Sequence, residues 1–197
     1  LFVEEYTLVA VADYVLSHTK GPTVSNLSSS RALRDVTEKH GCTYNAAAVG
    51  EVNVVAKMKA TNAVIGGEGN GGIIYPELHY GRDALVGVAL FLSLLAKSGK
   101  RVSELKRTYP SYEISKNKIQ LQPGTDVDGL LARVKEHYSD CRITDIDGVK
   151  IDFDDSWVHL RKSNTEPIIR IYSEAHTVAE AERLAEDMKA TVASLGF

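Results

Sequence analysis

Residues 159–175 read HLRKSNTEPIIRIYSEA, and the reading of this stretch decides the architecture of the C-terminal part of the chain. Apolar and polar residues alternate on both sides of Pro167, through WVHL before the turn and IIRIYSE after it, with the period of a half-buried β-strand. Working outward, CRITDIDGVKIDF (141–153) is a hairpin whose Asp147-Gly148 pair is a strong short-range turn signal. YEISKNKIQL (112–121) alternates as a further strand, while 126–138 and 177–195 carry apolar residues at helical spacing. A small antiparallel sheet with helices on one face, an α+β domain, is the expected arrangement.

The N-terminal part has a different rhythm. EEYTLVAVADYVLSH (4–18) is a helix with acidic residues in its first turn, stopped by Gly21-Pro22. Strand TVSNL (23–27) runs into Ser28-Ser29-Ser30, an N-cap cluster before a helix with arginines on its polar face. CTYNAAAV (42–49), a short helix over 51–59 and NAVIGGE (62–68) continue the alternation, followed by the strand Ile73-Ile74-Tyr75. Gly81-Arg82-Asp83 opens a long helix to Lys97, with Gly99 as its stop, and a brief helix from Ser103 ends before Tyr109-Pro110. This is an α/β domain, a mixed sheet with flanking helices, over 1–109, followed by the smaller α+β domain over 110–197.

The 197 residues are 44% hydrophobic, and well-mixed charges leave a net −3, so no basic field points to nucleic acid. Cys42 and Cys141 have no metal-binding spacing and suit a reducing cytoplasm. The Asn26-Leu27-Ser28 sequon has no signal peptide before it and reads as chance. No apolar run reaches the ~18 residues of a membrane helix; the longest, 84–96, reads as a buried helix. The chain starts Leu-Phe-Val, without methionine or leader pattern, and is expected to be part of something longer.

Two loops carry chemistry. In the first stretch, Arg161, Ser163, Asn164, Thr165 and Arg170 crowd one turn. Arginine's planar fork matches two oxygens of a phosphate, hydroxyls and backbone N–H groups can take the rest, and Pro167 stiffens the exit. Glu166 cannot donate to a dianion and is expected to face away, orienting an arginine. The plain alternative is a polar hairpin whose arginines pair with nearby carboxylates. The second loop, GGEGNGG (66–72), is neither a P-loop nor a dinucleotide fingerprint. Glu68 and Asn70 can accept hydrogen bonds from vicinal hydroxyls while Gly71 and its neighbours let a ring approach the backbone, which suits a sugar. The alternative is a flexible hairpin loop.

Together, in this order, the two loops resemble the α-D-phosphohexomutase family, which includes phosphoglucomutase/phosphomannomutase and phosphoglucosamine mutase. Gly67-Glu68-Gly69-Asn70-Gly71-Gly72 matches the family's sugar loop, G-E-x-S/N-G-H/G, in its third domain. Arg161-Lys162-Ser163-Asn164-Thr165-Glu166-Pro167, with Arg170, matches its phosphate loop, R-x-S-G/N-T-E-P followed by Arg, in the fourth. Val49-Gly50-Glu51 resembles, more weakly, the loop preceding the sugar loop.

The resemblance implies most of domain three plus all of domain four of an intramolecular phosphotransferase. Such an enzyme interconverts hexose or hexosamine 6-phosphate and 1-phosphate through a phosphoserine, a Mg²⁺ held by D-x-D-x-D, and a hexose 1,6-bisphosphate. It also implies sugar contacts from Glu68, Asn70, Gly71, His79 and Arg82, and phosphate contacts from Arg161, Ser163, Asn164, Thr165 and Arg170. Neither the serine loop nor D-x-D-x-D is present; Asp145-Ile146-Asp147 lacks the third aspartate, and Ser28–Ser30 have no neighbouring base. The stretch is therefore expected to supply no catalytic and no metal-binding residue, to depend on N-terminal domains of the same chain, and to be inactive alone. A stand-alone phosphosugar-binding module is the other reading, and an interaction-only domain a third; nothing separates glucosamine, glucose and mannose phosphates. His79 is equally readable as a residue closing the loop, His159 as structural, His18, His40, His137 and His176 as helix-end or surface residues, and Trp157 as packing beneath the phosphate loop.

Overall fold

The computed structural model describes residues 2–122, 124–163 and 166–196. It divides into two compact units, Leu1–Ser111 and Tyr112–Phe197. The division falls just beyond the expected boundary because Tyr109 and Pro110 are tied back to the first helix. Tyr109 donates to Asp13 at 3.0 Å, and Tyr6 donates to the Pro110 carbonyl at 2.6 Å.

The first unit runs α1 (Glu4–His18), β1 (Thr23–Asn26), α2 (Ala32–Lys39), β2 (Tyr44–Ala47), α3 (Glu51–Thr61), β3 (Ile65–Glu68), β4 (Gly72–Ile74), α4 (Ala84–Ser98), α5 (Val102–Lys106). Its sheet has the order β2-β1-β3-β4, with β1 parallel to β2 and β3, and β4 antiparallel at the edge. β1 is buried along its whole length, as a central parallel strand covered on both faces must be. The strand's alternation sorts the helices. Thr23 faces α2, where its hydroxyl meets that of Thr37 at 2.7 Å, whereas Val24 packs with Val54 and Met58 of α3.

β3 needs its glycines for close approach. A Cβ on Gly66 would sit 2.6 Å from the Met58 sulfur, and one on Gly67 only 2.0 Å from the Gly72 carbonyl oxygen of the paired strand. The first neighbour is a flexible side chain; the second is backbone and cannot yield without parting the hairpin.

The apolar run expected to be a buried helix is α4, and here the structure differs. Leu85, Val88 and Leu92 are 82%, 55% and 55% exposed. The helix packs on edge strand β4 and on α1, and its closest approach is at Gly87, where a Cβ would lie 2.9 Å from Ile73. Apolar composition reported that this face avoids water; it carried no information on what covers it. Among the described residues no helix is long and apolar enough to cross a membrane.

The second unit runs β5 (Glu113–Gln120), α6 (Val127–His137), β6 (Arg142–Thr144), β7 (Val149–Asp152), β8 (Trp157–Lys162), β9 (Ile168–Ala175), α7 (Val178–Ser194). All neighbours in the order β5-β9-β8-β7-β6 are antiparallel. Val158, Leu160, Ile169 and Ile171 point to one face and form the core with Leu130 and Val134 of α6 and Ala185, Met188 and Val192 of α7. A capping box closes the start of α7, Thr177 Oγ1 accepting from Glu180 N and the Glu180 carboxylate from Thr177 N. Period two then places Trp157, His159, Arg161, Arg170 and Tyr172 on the face away from the helices.

Gly67→Ala is expected to destabilise the first unit by about 1–3 kcal/mol, in the range of overpacking a filled site. A urea unfolding curve monitored on that unit would check this; an unchanged midpoint would show that β3 and β4 can separate at little cost.

Candidate functional site

Each unit carries one of the two loops. In the first, both partners lie at the carboxyl ends of β1 and β3, the edge where open α/β sheets bind ligands. Glu68 ends β3 and is only 6% exposed. Its Oε1 accepts from Asn26 Nδ2 at 2.8 Å, and its Oε2 lies 3.5 Å from Arg82 Nη1. A carboxylate offers about four lone-pair sites, so two partners leave acceptor capacity.

The loop itself is a tight hairpin between β3 and β4, with Gly71 N donating to the Glu68 carbonyl and Gly71 at φ 86°. Asn70 is exposed, and its side-chain oxygen accepts from Gly72 N at 3.1 Å, so its amide N–H₂ is the group it presents outward. The glycine cluster is thus a hairpin with a hydrogen-bonded turn.

Arg82 lies over this hairpin, its stem so close that a Cβ on Gly72 would be 2.7 Å from Arg82 Cδ. Glu51 at the start of α3 accepts from both Arg82 N (3.1 Å) and Arg82 Nε (2.8 Å). The Arg82 backbone N–H, then its guanidinium, hold the Glu51 carboxyl below the usual range. His79 uses both ring nitrogens locally. Nδ1 accepts from Gly81 N at 3.0 Å, which leaves Nε2–H to donate to Asp83 Oδ2 at 3.0 Å. Asp83 also caps α4 through Val86 N, and that N–H, followed by His79, lowers its pKa.

In the second unit, the turn connecting β8 and β9 is flanked by Arg161 and Arg170, directly opposite each other in the ladder. Like charges facing across a strand pair repel. Arg170 is partly compensated by Glu166, Nη2 to Oε2 at 3.1 Å, so the glutamate does orient an arginine. Arg161 Nε is buried and meets no acceptor among the described residues. Ser163 is 6% exposed, its N–H donating to the Ile168 carbonyl. Asn164 and Thr165, both expected in the phosphate site, lie outside the described residues.

Sequence reasoning missed a third cation. Lys118 of β5 is in register with Arg170, so Lys118, Arg170 and Arg161 form one row across three strands. Leu121 N and Gln120 Nε2 both donate to the Pro167 carbonyl, tying the end of β5 to the turn. Register is a long-range quantity, and only strand pairing could reveal it. Trp157 is held instead by Glu174, its Nε1 donating to Oε1 at 2.6 Å, and by Lys150 stacked 4.0 Å over its ring, four residues back from Arg161.

Beside the cationic row sits His159, 1% exposed, its Nε2 donating to the Asp147 carbonyl at 2.7 Å. Burial, with the nearby charges of Lys150 and Arg161, pushes its pKa from 6.5 down to about 4. The imidazole is therefore neutral at neutral pH and adds no further charge to the row. No group of three or more His, Cys, Asp or Glu side chains able to hold a metal ion occurs among the described residues.

A family model described as phosphoglucomutase/phosphomannomutase, alpha/beta/alpha domain III, matches residues 4–112, and that of the family's C-terminal domain matches residues 118–191. The chain belongs to the phosphoglucomutase/phosphomannomutase family. Among its relatives, a phosphoglucomutase/phosphomannomutase of Thermococcus kodakarensis is 38% identical over 183 residues, 91% of this chain and 40% of the relative. A phosphoglucosamine/phosphogalactosamine mutase of Sulfurisphaera tokodaii is 37% identical, covering 86% of this chain and 38% of the relative. A crystal structure of a phosphoglucomutase/phosphomannomutase family protein from Burkholderia thailandensis superposes with a TM-score of 0.82 at 23% identity, over 98% of this chain and 42% of that one, a likeness of fold. The chain thus spans about 40% of the length of the curated mutases it matches.

Within this family member, the depressed pKa of His159 makes the second unit sensitive to acid. The unfolded state binds the extra proton first, so stability is full above pH 6.5 and falls as pH drops towards 4, by about 3 kcal/mol when complete. Chemical denaturation at pH 7 and pH 4.5 measures the slope; His159→Gln should flatten it, and an equal slope in that variant would assign the acid sensitivity elsewhere.

Proposed function

We propose that the chain is the C-terminal, sugar- and phosphate-recognising part of a phosphohexomutase that interconverts the 6-phosphate and 1-phosphate of a hexose or hexosamine. The observation that carries this reading is the presence, in one chain, of an acceptor loop built on Glu68 and a cationic turn built on Arg161 and Arg170. A hexose phosphate offers the two complementary chemistries: vicinal hydroxyls that donate, and a dianion that accepts. Gly71, where a Cβ would meet nothing nearer than Glu4 Cβ at 3.8 Å, lets a ring approach the backbone beside Glu68.

In this reading a phosphoserine passes its phosphoryl group to the free hydroxyl of the sugar phosphate. The resulting 1,6-bisphosphate turns round and returns the other phosphoryl group to the serine. The cationic turn holds whichever phosphate is not reacting, so that binding remote from the reaction orients the reacting end. Arg161 supplies a guanidinium whose Nε has no partner among the described residues, and Lys118 adds charge at the edge of the row.

The serine nucleophile belongs to the preceding part of the complete enzyme. Here Ser30 Oγ accepts from Ala32 N at the start of α2, and Ser29 is held by Asn26, so neither is poised as a nucleophile. Magnesium would assist the transfer as a Lewis acid; no cluster of His, Cys, Asp or Glu among the described residues suits it, and in this reading a D-x-D-x-D loop that this stretch does not contain holds it. In this reading the chain alone supplies recognition and not the chemistry. Its two free cysteines support a reducing, cytoplasmic setting. The relatives' names span glucose, mannose, glucosamine and galactosamine phosphates, and Glu68 can accept from the hydroxyls common to them.

A heteronuclear NMR titration with glucose 6-phosphate, glucosamine 6-phosphate and inorganic phosphate tests this reading. Sugar phosphates should shift signals at both Arg161–Arg170 and Glu68–Gly72, inorganic phosphate only the former. Arg161→Ala should abolish the response of the turn. Glu68→Gln should remove the sugar-dependent response alone. A loop that responds equally to inorganic phosphate would defeat the sugar assignment, and an undiminished turn response in Arg161→Ala the phosphate assignment.

A further inference from the structure

The sugar loop is held from outside as well as by its own turn. Beneath it, Gly69 N donates to Ser29 Oγ at 2.8 Å, and Ser29 Oγ donates to Asn26 Oδ1 at 3.0 Å. Asn26 Oδ1 also accepts from Ser28 N at 3.0 Å, and Asn26 Nδ2 donates to Glu68 Oε1 at 2.8 Å. Asn26, Ser29 and Glu68 are 6%, 3% and 6% exposed, so water is a poor substitute for any of these partners.

The polarity of this chain is fixed at every link. Two donors converge on Asn26 Oδ1, so the amide cannot flip, and its N–H₂ must face Glu68. Ser29 has spent its one hydroxyl hydrogen on Asn26, so its lone pair must receive Gly69 N–H. Asn26 follows Ser25, which pairs with Gly67 in the β1–β3 ladder, so the amide stands beside Glu68 at the same strand edge. Glu5 of α1 closes the loop from the other side: it accepts from Ser30 N at 3.1 Å, and a Cβ on Gly69 would fall 1.9 Å from its Oε2.

From this we infer that Asn26 and Ser29 are positioning residues for sugar recognition, Asn26 setting the orientation of the Glu68 carboxylate and Ser29 that of the Gly69 amide. The inference rests on the reading of Glu68 as the sugar-binding carboxylate. Losing a buried hydrogen-bond partner of a charged group costs on the order of 10–100-fold in an equilibrium constant. The loss is expected to fall on the sugar and spare the phosphate, because the hydrogen bonds that set Glu68 and Gly69 lie within the first unit. Asn26→Asp is the informative substitution: it preserves shape but replaces the donor with a second carboxylate against Glu68.

Amide hydrogen exchange and binding are measured on the chain itself. Ser29→Ala should accelerate exchange at Gly69 at least tenfold while the amides of β1 remain protected, and Ser29→Thr should restore protection. Asn26→Asp and Asn26→Ala should each lower the ratio of glucose 6-phosphate affinity to inorganic phosphate affinity about tenfold. Unchanged Gly69 exchange in Ser29→Ala, or an unchanged ratio in both Asn26 variants with Glu68→Gln still lowering it, would overturn the inference. An unchanged ratio in Glu68→Gln as well would instead overturn the sugar assignment, leaving the exchange data to judge the network.

Discussion

Arg161 and Arg170 stand opposite each other across β8 and β9, on the sheet face that the helices do not cover, and Lys118 extends the row onto β5. Folding forces these cations together, since their register is dictated by burial of Leu160, Ile169 and Ile171 on the opposite face. Glu166 offsets part of the repulsion through Arg170, whereas Arg161 Nε is left without an acceptor among the described residues. An anion at the turn would relieve what the hydrophobic core imposes. Neutral His159 fits the same economy of charge, because a protonated imidazole next to Arg161 would add to the repulsion.

The first unit solves the complementary problem of keeping a carboxylate nearly out of water yet available. Parallel strands bring Asn26 and Glu68 to one edge, and Gly66 and Gly67 let α3 and β4 close in so that the loop starts from a fixed position. Glu68 is then compensated by one neutral donor and one guanidinium, which is itself braced by Glu51. Compensation of this kind makes a buried carboxylate tolerable while keeping some of its lone pairs for a ligand.

Much of this was legible in the sequence, for reasons that can be stated residue by residue. The α+β character followed from periodicity, as in IIRIYSE, and the α/β character from the rhythm of strands and helices, since TVSN is buried throughout although three of its four residues are polar. The loops stood out by composition, and Glu166 was rightly expected to orient an arginine. What escaped was whatever depends on contacts distant in sequence. Asn26 and Ser29 lie roughly forty residues from Glu68 and Gly69, and Lys118 about fifty from Arg170, as their pairing records. Ser28-Ser29-Ser30 resembled a simple cap, yet Ser30 serves the helix start while Ser29 serves the loop. The apolar α4 looked buried because periodicity reports preference, not partners.

The central claim is that the second unit holds cations in opposition for a phosphate to reconcile. Its most direct test is the unfolding temperature of that unit, followed through Trp157, with inorganic phosphate against chloride at equal ionic strength. Phosphate should raise the midpoint well beyond chloride in the native chain and lose that advantage in Arg161→Gln. Equal effects of the two anions on the native chain would contradict it.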